Sequence, residues 1–487
     1  MNPLLAPDEQ ATLQALRRVG VQLVSSFTLA LPKARAGVLR RLWGALWREG
    51  VVDTRRLGTP APTLFGDGLR AVVADGVTHT HPARLLEALH PTGHADRLVR
   101  ELDNSVANLA LGLAAADLGG EGHRHSDLVA LEQSIVDGHP LHPCCRTRIG
   151  MSTTDVLAYA PEHHPLVRLR VVEVDPGRWR TTGAPRRPLL PVHPWQLERA
   201  LATGLVRDTG RDLPARPLMS LRTLAPLDTP DQHIKTAVEI QMTSAVRTLS
   251  AAAVHNGPLA SDLVATLAAR THGLRILRET TAATVLDTHG DPQRTLGAVW
   301  RQAPPPGAFV LPLALLPHRP DLLTPAFFGQ LVRLLLPALF DLLRDGVALE
   351  AHGQNTLVEI RNGRPDTIWY RDLGGLHVHP GRLARAGLPM PPLIGALPTH
   401  DEDELRTKLF AAALSTVLTE LVHALGGERH AEAAWDVVAT TIRDTVTDND
   451  DRKACFADTW PLKATTAMRL ADDPLQDLWC QIPNPLR

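Results

Sequence analysis

Apolar residues recur every three or four positions over residues 11–24, 31–47 and 97–118, the spacing of one helical face, and predict helices there. From about residue 131 to 310 the pattern shortens. Residues 166–173, 189–192, 234–243 and 296–301 are β-rich runs separated by prolines and glycines, which predicts a sheet-containing unit. Helical spacing returns over 328–343, 404–425 and 431–446. Within that last region, 356–361 and 367–371 flank Asn362-Gly363, a strong two-residue hairpin turn. The predicted fold class is α+β and multidomain: 1–130 helical, 131–315 mixed, and 316–487 mainly helical with a hairpin. Residues 301–320, with their Pro304-Pro305-Pro306-Gly307 run, are the expected linker.

A chain of 487 residues has room for two or three domains. Its net charge of −1 offers no basic face, which argues against a nucleic-acid partner. The most apolar segment, 327–343, is interrupted by Gln330, Arg333, Pro337 and Asp341, against a membrane span. Met1-Asn2-Pro3-Leu4-Leu5 lacks the basic stretch and apolar run of a signal peptide, so the cytoplasm is the expected location. Cys144 and Cys145 are adjacent, Cys455 and Cys480 lie far away, and no C-x-x-C pair exists, so a disulfide framework is not expected. Only five of the 51 cationic residues are lysines. A lysine retained against that bias is a candidate for chemistry, and Lys235 and Lys463 fall within polar motifs.

Two polar clusters stand out. The first runs from His139 to Gly150 and holds His139, His142, Cys144, Cys145, Arg146 and Arg148 among prolines. Its imidazolium and guanidinium donors suit a triphosphate or a carboxylate, while its His and Cys residues allow zinc, although the spacing matches no common zinc pattern. The second runs from Glu350-Ala351-His352-Gly353-Gln354-Asn355 to Arg371-Asp372-Leu373-Gly374-Gly375. The hairpin between its halves brings Glu350, His352 and Asn355 toward Asp372, giving the oxygen ligands Mg²⁺ prefers. An Asn, a hairpin and an Asp in this order also resemble the metal-binding part of protein kinases, without their Gly-rich loop.

A third region, 234–247, reads as a strand whose odd-numbered face carries Lys235, Gln241 and Thr243. A helix is expected to start at Thr243 or Ser244, with Arg247 in its first turn, an arrangement suited to an anion. Upstream, Ser220, Arg222 and Thr223 offer two hydroxyls and a guanidinium for phosphate oxygens. Asp103, Asn104 and Asn108 read equally as a solvated helix face, and Pro191-Val192-His193-Pro194-Trp195-Gln196 as a tight turn.

The order of these elements is distinctive. His-Pro-x-His-Pro, Val-His-Pro-Trp-Gln, Ser-x-Arg-Thr, Lys235 through Thr243 to Arg247, His-Gly-Gln-Asn and Arg-Asp-x-Gly-Gly together resemble the NRPS-independent siderophore synthetases of the IucA/IucC type. The resemblance covers 131–375 and extends to Lys463 and Met468-Arg469-Leu470. It implies a cupped hand with a helical thumb, sheet-containing fingers and a mainly helical palm. It also implies ATP-dependent adenylation of citrate or a related polycarboxylate, then attack by an amine, hydroxylamine or alcohol. By the same resemblance Ser220, Arg222, Thr223, Lys235 and Asn355, with Arg146 and Arg148, would hold ATP. Thr243, Gln241, Arg247, His352 and Lys463 would meet the substrate, and Glu350 and Asp372 would bind Mg²⁺. Arg247, His352, His139 and His142 are the expected catalytic groups. Homodimers are common in the family. Arg146 stands where the family commonly has lysine, and the chain is shorter than most relatives, in the thumb and palm. A kinase-like small-molecule phosphotransferase and a non-catalytic polycarboxylate binder are the competing readings.

Overall fold

The structure is a computed structural model that describes residues 5–66, 68–119 and 127–487; most of the N-terminal stretch judged for a leader, residues 1–4, lies outside these. Two helices, Pro7–Val19 and Val21–Arg48, occupy the region expected to begin with one helix over 11–24. The break falls at Gly20, the poorest helix former after proline, whose backbone is extended. Leu39, Leu42, Trp43 and Leu46 share one face of the second helix and pack against Leu98, Leu102, Val106 and Leu109 of the helix Ala95–Gly119. All eight are essentially inaccessible, and such side chains contribute roughly 1.5–3 kcal/mol each. These helices build the thumb.

The fingers are an eight-stranded antiparallel sheet. Its spatial order is Trp179–Gly183, Glu279–Leu286, Pro292–Gln302, Gln232–Thr236, Thr223–Pro226, Val206–Pro217, Val167–Val174 and Leu189–Val192. The helix Ala251–Ala268 packs across its first three strands.

The run expected as one strand over 234–243 is two strands in two sheets. Gln232–Thr236 joins the large sheet, whereas Val238–Met242 pairs with Ala245–Arg247 and with Arg148–Ile149 in a separate three-stranded sheet. Lys235 therefore does not share a strand face with Gln241 and Thr243. The helix expected at Thr243 or Ser244 is instead a hairpin turn, with Thr243 left-handed (φ 53°) and its N–H donated to the Thr147 carbonyl at 3.3 Å. The helix begins at Ala251, where the Ser250 hydroxyl accepts from the Ala253 N–H at 3.0 Å.

The palm sheet has the order Leu274–Ile276, Arg364–Tyr370, Thr356–Arg361 and Val310–Pro312. Asn362 and Gly363, at φ 50° and 73°, form the expected turn. The expected linker narrows to residues 303–309, because its flanks are strands of the finger and palm sheets. Pro325–Arg344 and the continuous helical stretch Glu402–Leu425 are, among the described residues, the two helices long and apolar enough to cross a membrane. Their most apolar stretches are 67% and 72% buried within the protein, in the palm core. The strands Thr459–Lys463 and Trp479–Pro483 pair with Lys463 opposite Trp479, and the helix Thr465–Leu470 lies between them in sequence.

Candidate active site

The palm hairpin and the finger sheet meet at one ion pair. Lys235 Nζ donates to both carboxylate oxygens of Asp372, at 2.8 and 2.9 Å. Asp372 follows the second hairpin strand in a left-handed conformation (φ 68°). Burial would raise its pKa, but Lys235, Arg301 and Arg222 outweigh that and hold the carboxyl well below the usual range. Across the hairpin mouth, Arg371 N–H donates to Asn355 O at 3.1 Å, and Asn355 Nδ2 donates to His352 Nε2 at 3.3 Å. Burial depresses the His352 pKa, with Glu350 and Asp372 pulling the other way.

Glu350 faces two lysines, Lys463 at 3.6 Å and Lys408 at 4.0 Å, and both also reach Asp477, at 2.7 and 3.1 Å. A Cβ on Gly375 would stand 2.1 Å from Glu350 Oε2. A side chain at the second glycine of Arg-Asp-x-Gly-Gly would therefore displace the Glu350 carboxylate.

The finger loop before Thr223–Pro226 supplies the next wall. Ser220 Oγ donates to Thr223 Oγ1 at 2.8 Å, and Arg222 Nη1 donates to Thr248 O at 3.0 Å. Burial, with Arg247 beside it, lowers the Arg222 pKa to about 10. Arg247 Nη2 donates to Met242 O at 2.9 Å and to Thr243 Oγ1 at 2.7 Å, and Gln241 Nε2 donates to Thr243 O at 3.3 Å. The short hairpin therefore aims Arg247 toward the cleft, where burial lowers its pKa and Asp372 and Glu350 counter that shift. Two crowded guanidiniums with hydroxyls beside them make a receptor for anionic oxygens.

The first cluster divides. His142 Nδ1 accepts from Cys144 N–H at 3.0 Å, so the proton sits on Nε2, which donates to Ser244 Oγ at 2.6 Å. His139 Nδ1 accepts from the N–H groups of Leu141 and His142, both at 3.2 Å. Burial pushes the His142 pKa well below its usual value. The surrounding protein, with His352, Arg41 and Lys463 nearby, pushes His139 down to about 3. Both rings are neutral N–H donors, not the imidazolium cations expected from the sequence.

Arg146 and Arg148 do not line the cleft. Arg148 pairs with buried Glu162 at 2.7 Å, and Arg146, 3.6 Å from the same carboxylate, donates to the carbonyls of Ile135 and Val136. Their charge is consumed inside the protein, which removes them as nucleotide ligands. Cys144 and Cys145 are buried free thiols, with Cys144 Sγ 3.6 Å from Glu101. Among the described residues no group of three or more His, Cys, Asp or Glu side chains is placed to hold a metal, which sets the zinc reading aside. Two carboxylates, Glu350 and Asp372, do suit Mg²⁺, which keeps waters and takes phosphate oxygens as its remaining ligands.

Several site residues have no mark in the sequence. Glu279, 5% exposed, lies beside Lys235 and Asp372 and accepts the Leu373 N–H; burial raises its pKa and Lys235 opposes. Ser244 joins His142 to the C-terminal element, since its carbonyl accepts from Arg469 Nη1 at 2.6 Å. Lys408 and Asp477 complete the cation–carboxylate cluster around Glu350. A Ser inside a turn, or a Glu opening a strand, is too common a signal to single out.

Residues 127–188 and 180–317 match the IucA / IucC family, and residues 325–476 match the ferric iron reductase FhuF-like transporter family. Staphyloferrin A synthase of Staphylococcus aureus is 23% identical over 75% of this chain and 74% of its own length. The D-ornithine–citrate ligase of the same organism is 22% identical over 85% of this chain and 82% of its own. The solved structure of ATP-bound aerobactin synthetase IucA from Klebsiella pneumoniae superimposes with a TM-score of 0.75 at 20% identity, covering 92% of this chain and 99% of that one. Residues 127–317, which carry Ser220, Arg222, Lys235 and Arg247, are thus a domain of the IucA / IucC family.

Proposed function

We propose that this chain is an ATP-dependent ligase that adenylates a carboxylate of citrate or a related polycarboxylic acid and passes the acyl group to an amine, hydroxylamine or alcohol. The observation that carries the reading is the Lys235–Asp372 contact, which joins the finger strand paired with Thr223 to the end of the palm hairpin. In the first step a carboxylate oxygen attacks the α-phosphorus and pyrophosphate leaves. In the second the nucleophile attacks the acyl carbon, AMP leaves, and a proton is released. The names of the citrate ligase and of the ATP-bound synthetase support both substrates.

Ser220, Thr223, Arg222 and Lys235 hold phosphate oxygens in this reading, with His352 and Asn355 against the nucleotide. Arg247, braced by Gln241 and Thr243, grips the carboxylate beside the α-phosphate, where fixed cations stabilise developing charge without reorganising. His139 offers a neutral N–H, His142 orients Ser244, and Lys463 faces the acid. Glu350 and Asp372 would hold Mg²⁺, which when bound neutralises the departing pyrophosphate. The cytoplasm, where ATP is available, is the site of action.

Incubation with Mg-ATP, citrate and hydroxylamine tests the proposal. AMP, pyrophosphate and a citryl hydroxamate are expected; ADP with a phosphorylated product would assign a kinase instead, and no turnover across a panel of acids and amines would leave a binder. Arg247→Ala and Asp372→Ala should each lower pyrophosphate release by about 10²–10³-fold with the fold intact. Near-normal release by both would refute the site.

A further inference from the structure

The carboxylate of Glu132 lies outside every motif above, yet it touches both walls of the cleft. Its side chain is 0% exposed, on the short helix Leu128–Gln133. One oxygen accepts from Arg371 Nη1 at 2.6 Å, and the other accepts from Met219 N–H at 3.0 Å. Met219 immediately precedes the loop of Ser220, Arg222 and Thr223. Arg371 immediately precedes Asp372, and its Nε and Nη2 donate to Gln354 O at 3.2 and 2.9 Å, next to Asn355. The neighbouring Gln133 Nε2 donates to Pro217 O at 3.0 Å, tying the same helix to the same finger loop a second time. A single buried carboxylate thus joins the three stretches that carry the phosphate loop, the His352–Asn355 turn and Asp372.

Stability alone gives no reason for a charge there, because an apolar pair of similar shape is often as stable as a buried ion pair. Geometry does. Charge-assisted bonds to a backbone N–H and a planar guanidinium fix distance and angle together. We propose that Glu132 is a positioning residue that sets the spacing between the finger phosphate loop and the Asp372 loop, and through it the fit of the nucleotide's phosphates. The proposal rests on the nucleotide reading given above.

The test pairs Glu132→Gln with Arg371→Met. The Gln oxygen still accepts from Met219, the Met thioether chain replaces the arginine stem, and no buried charge is stranded. ATP binding is read by calorimetry, and KM and kcat by acid-dependent pyrophosphate–ATP exchange. The double variant should unfold at a denaturant midpoint near the parent's. Its ATP affinity should fall and its KM for ATP rise about tenfold or more, while KM for the acid stays nearly constant. A stable double variant with parental ATP affinity would reduce Glu132 to a structural ion pair and overturn the proposal. Should the double variant not fold, Glu132→Asp decides: it keeps the charge but withdraws it by one methylene, and the same loss of ATP affinity is expected, parental affinity overturning the idea. A parent that binds ATP without exchange with any acid would sink the ligase reading and leave the Glu132 comparison standing; a parent that does not bind ATP would sink both.

Discussion

Gly375 shows how little room single residues have here. Its backbone is not in the left-handed region, so the glycine is needed for space: a Cβ would meet Glu350 Oε2 at 2.1 Å. Gly375→Ala should therefore push Glu350 off its place between Lys463 and Lys408 while leaving the core untouched. Pyrophosphate release should fall by about 10²-fold, the cost of roughly 1 Å of misplacement, with the melting temperature nearly unchanged. Parental activity would show that Glu350 has no fixed position to lose. The lysine bias was informative at this scale: Lys235 and Lys463 were legible from their motifs, and both lie in the cleft. Lys408 was not, because it sits in the charged run Glu402–Leu409 that reads as a solvated helix. Arg146 and Arg148 misled for the opposite reason. Sequence displays a charge but not its partner, and Glu162 appears only once the chain has folded.

Among elements, the hairpin Thr356–Tyr370 was readable because Asn-Gly fixes the turn, although the register shift between Glu359 and Ile360 left no mark in the sequence. The division at Ala237 was not, because alternation continues through it while the strand changes sheets. Nor was the docking of the C-terminal helix Thr465–Leu470 onto the thumb. Glu49, just past the helix Val21–Arg48, accepts the N–H groups of Thr466 and Ala467 at 2.8 and 2.7 Å. Burial outweighs those bonds and raises its pKa from 4.5 to about 7. The folded protein thus binds the proton more tightly than the unfolded chain. This contribution to stability is fully present below the unfolded pKa of 4.5 and is lost as pH rises through about 7. Glu49→Gln removes the titration and keeps an acceptor. Relative to the parent it should gain on the order of 2 kcal/mol between pH 5 and pH 8, a figure discounted for partial exposure, read from urea unfolding at both values. Parallel pH profiles for parent and variant would contradict the assignment.

At the scale of the molecule, the α+β class and the helix–sheet–helix succession followed from periodicity alone, but the way the parts close on one another did not. Arg469 pairs with Glu101 of the thumb through two hydrogen bonds, each side chain 2% exposed, and its Nη1 also holds the 243–247 hairpin through Ser244. Arg97 donates to Arg469 O at 3.2 Å and to Ala471 O at 2.7 Å. Thumb, fingers and C-terminal segment are thereby locked at one point beside the cleft. Arg469→Met would strand the Glu101 carboxylate in the interior. It should cost about 3–5 kcal/mol in denaturant unfolding, and a loss below about 1 kcal/mol would mean the pair carries little of the closure.

The Glu101–Arg469 pair also orders events in time. The two residues are 368 positions apart in sequence, and ribosomes add roughly 5–20 residues per second, so roughly 20–70 s separate their synthesis. Throughout that interval the nascent thumb carries a carboxylate destined for the interior without the arginine that neutralises it. A helical bundle that could otherwise finish early is held short of its final packing until the helix Thr465–Leu470 emerges. The cleft is therefore completed only once residue 469 has been made, and a chain halted before Arg469 would leave the ribosome with its thumb unsealed.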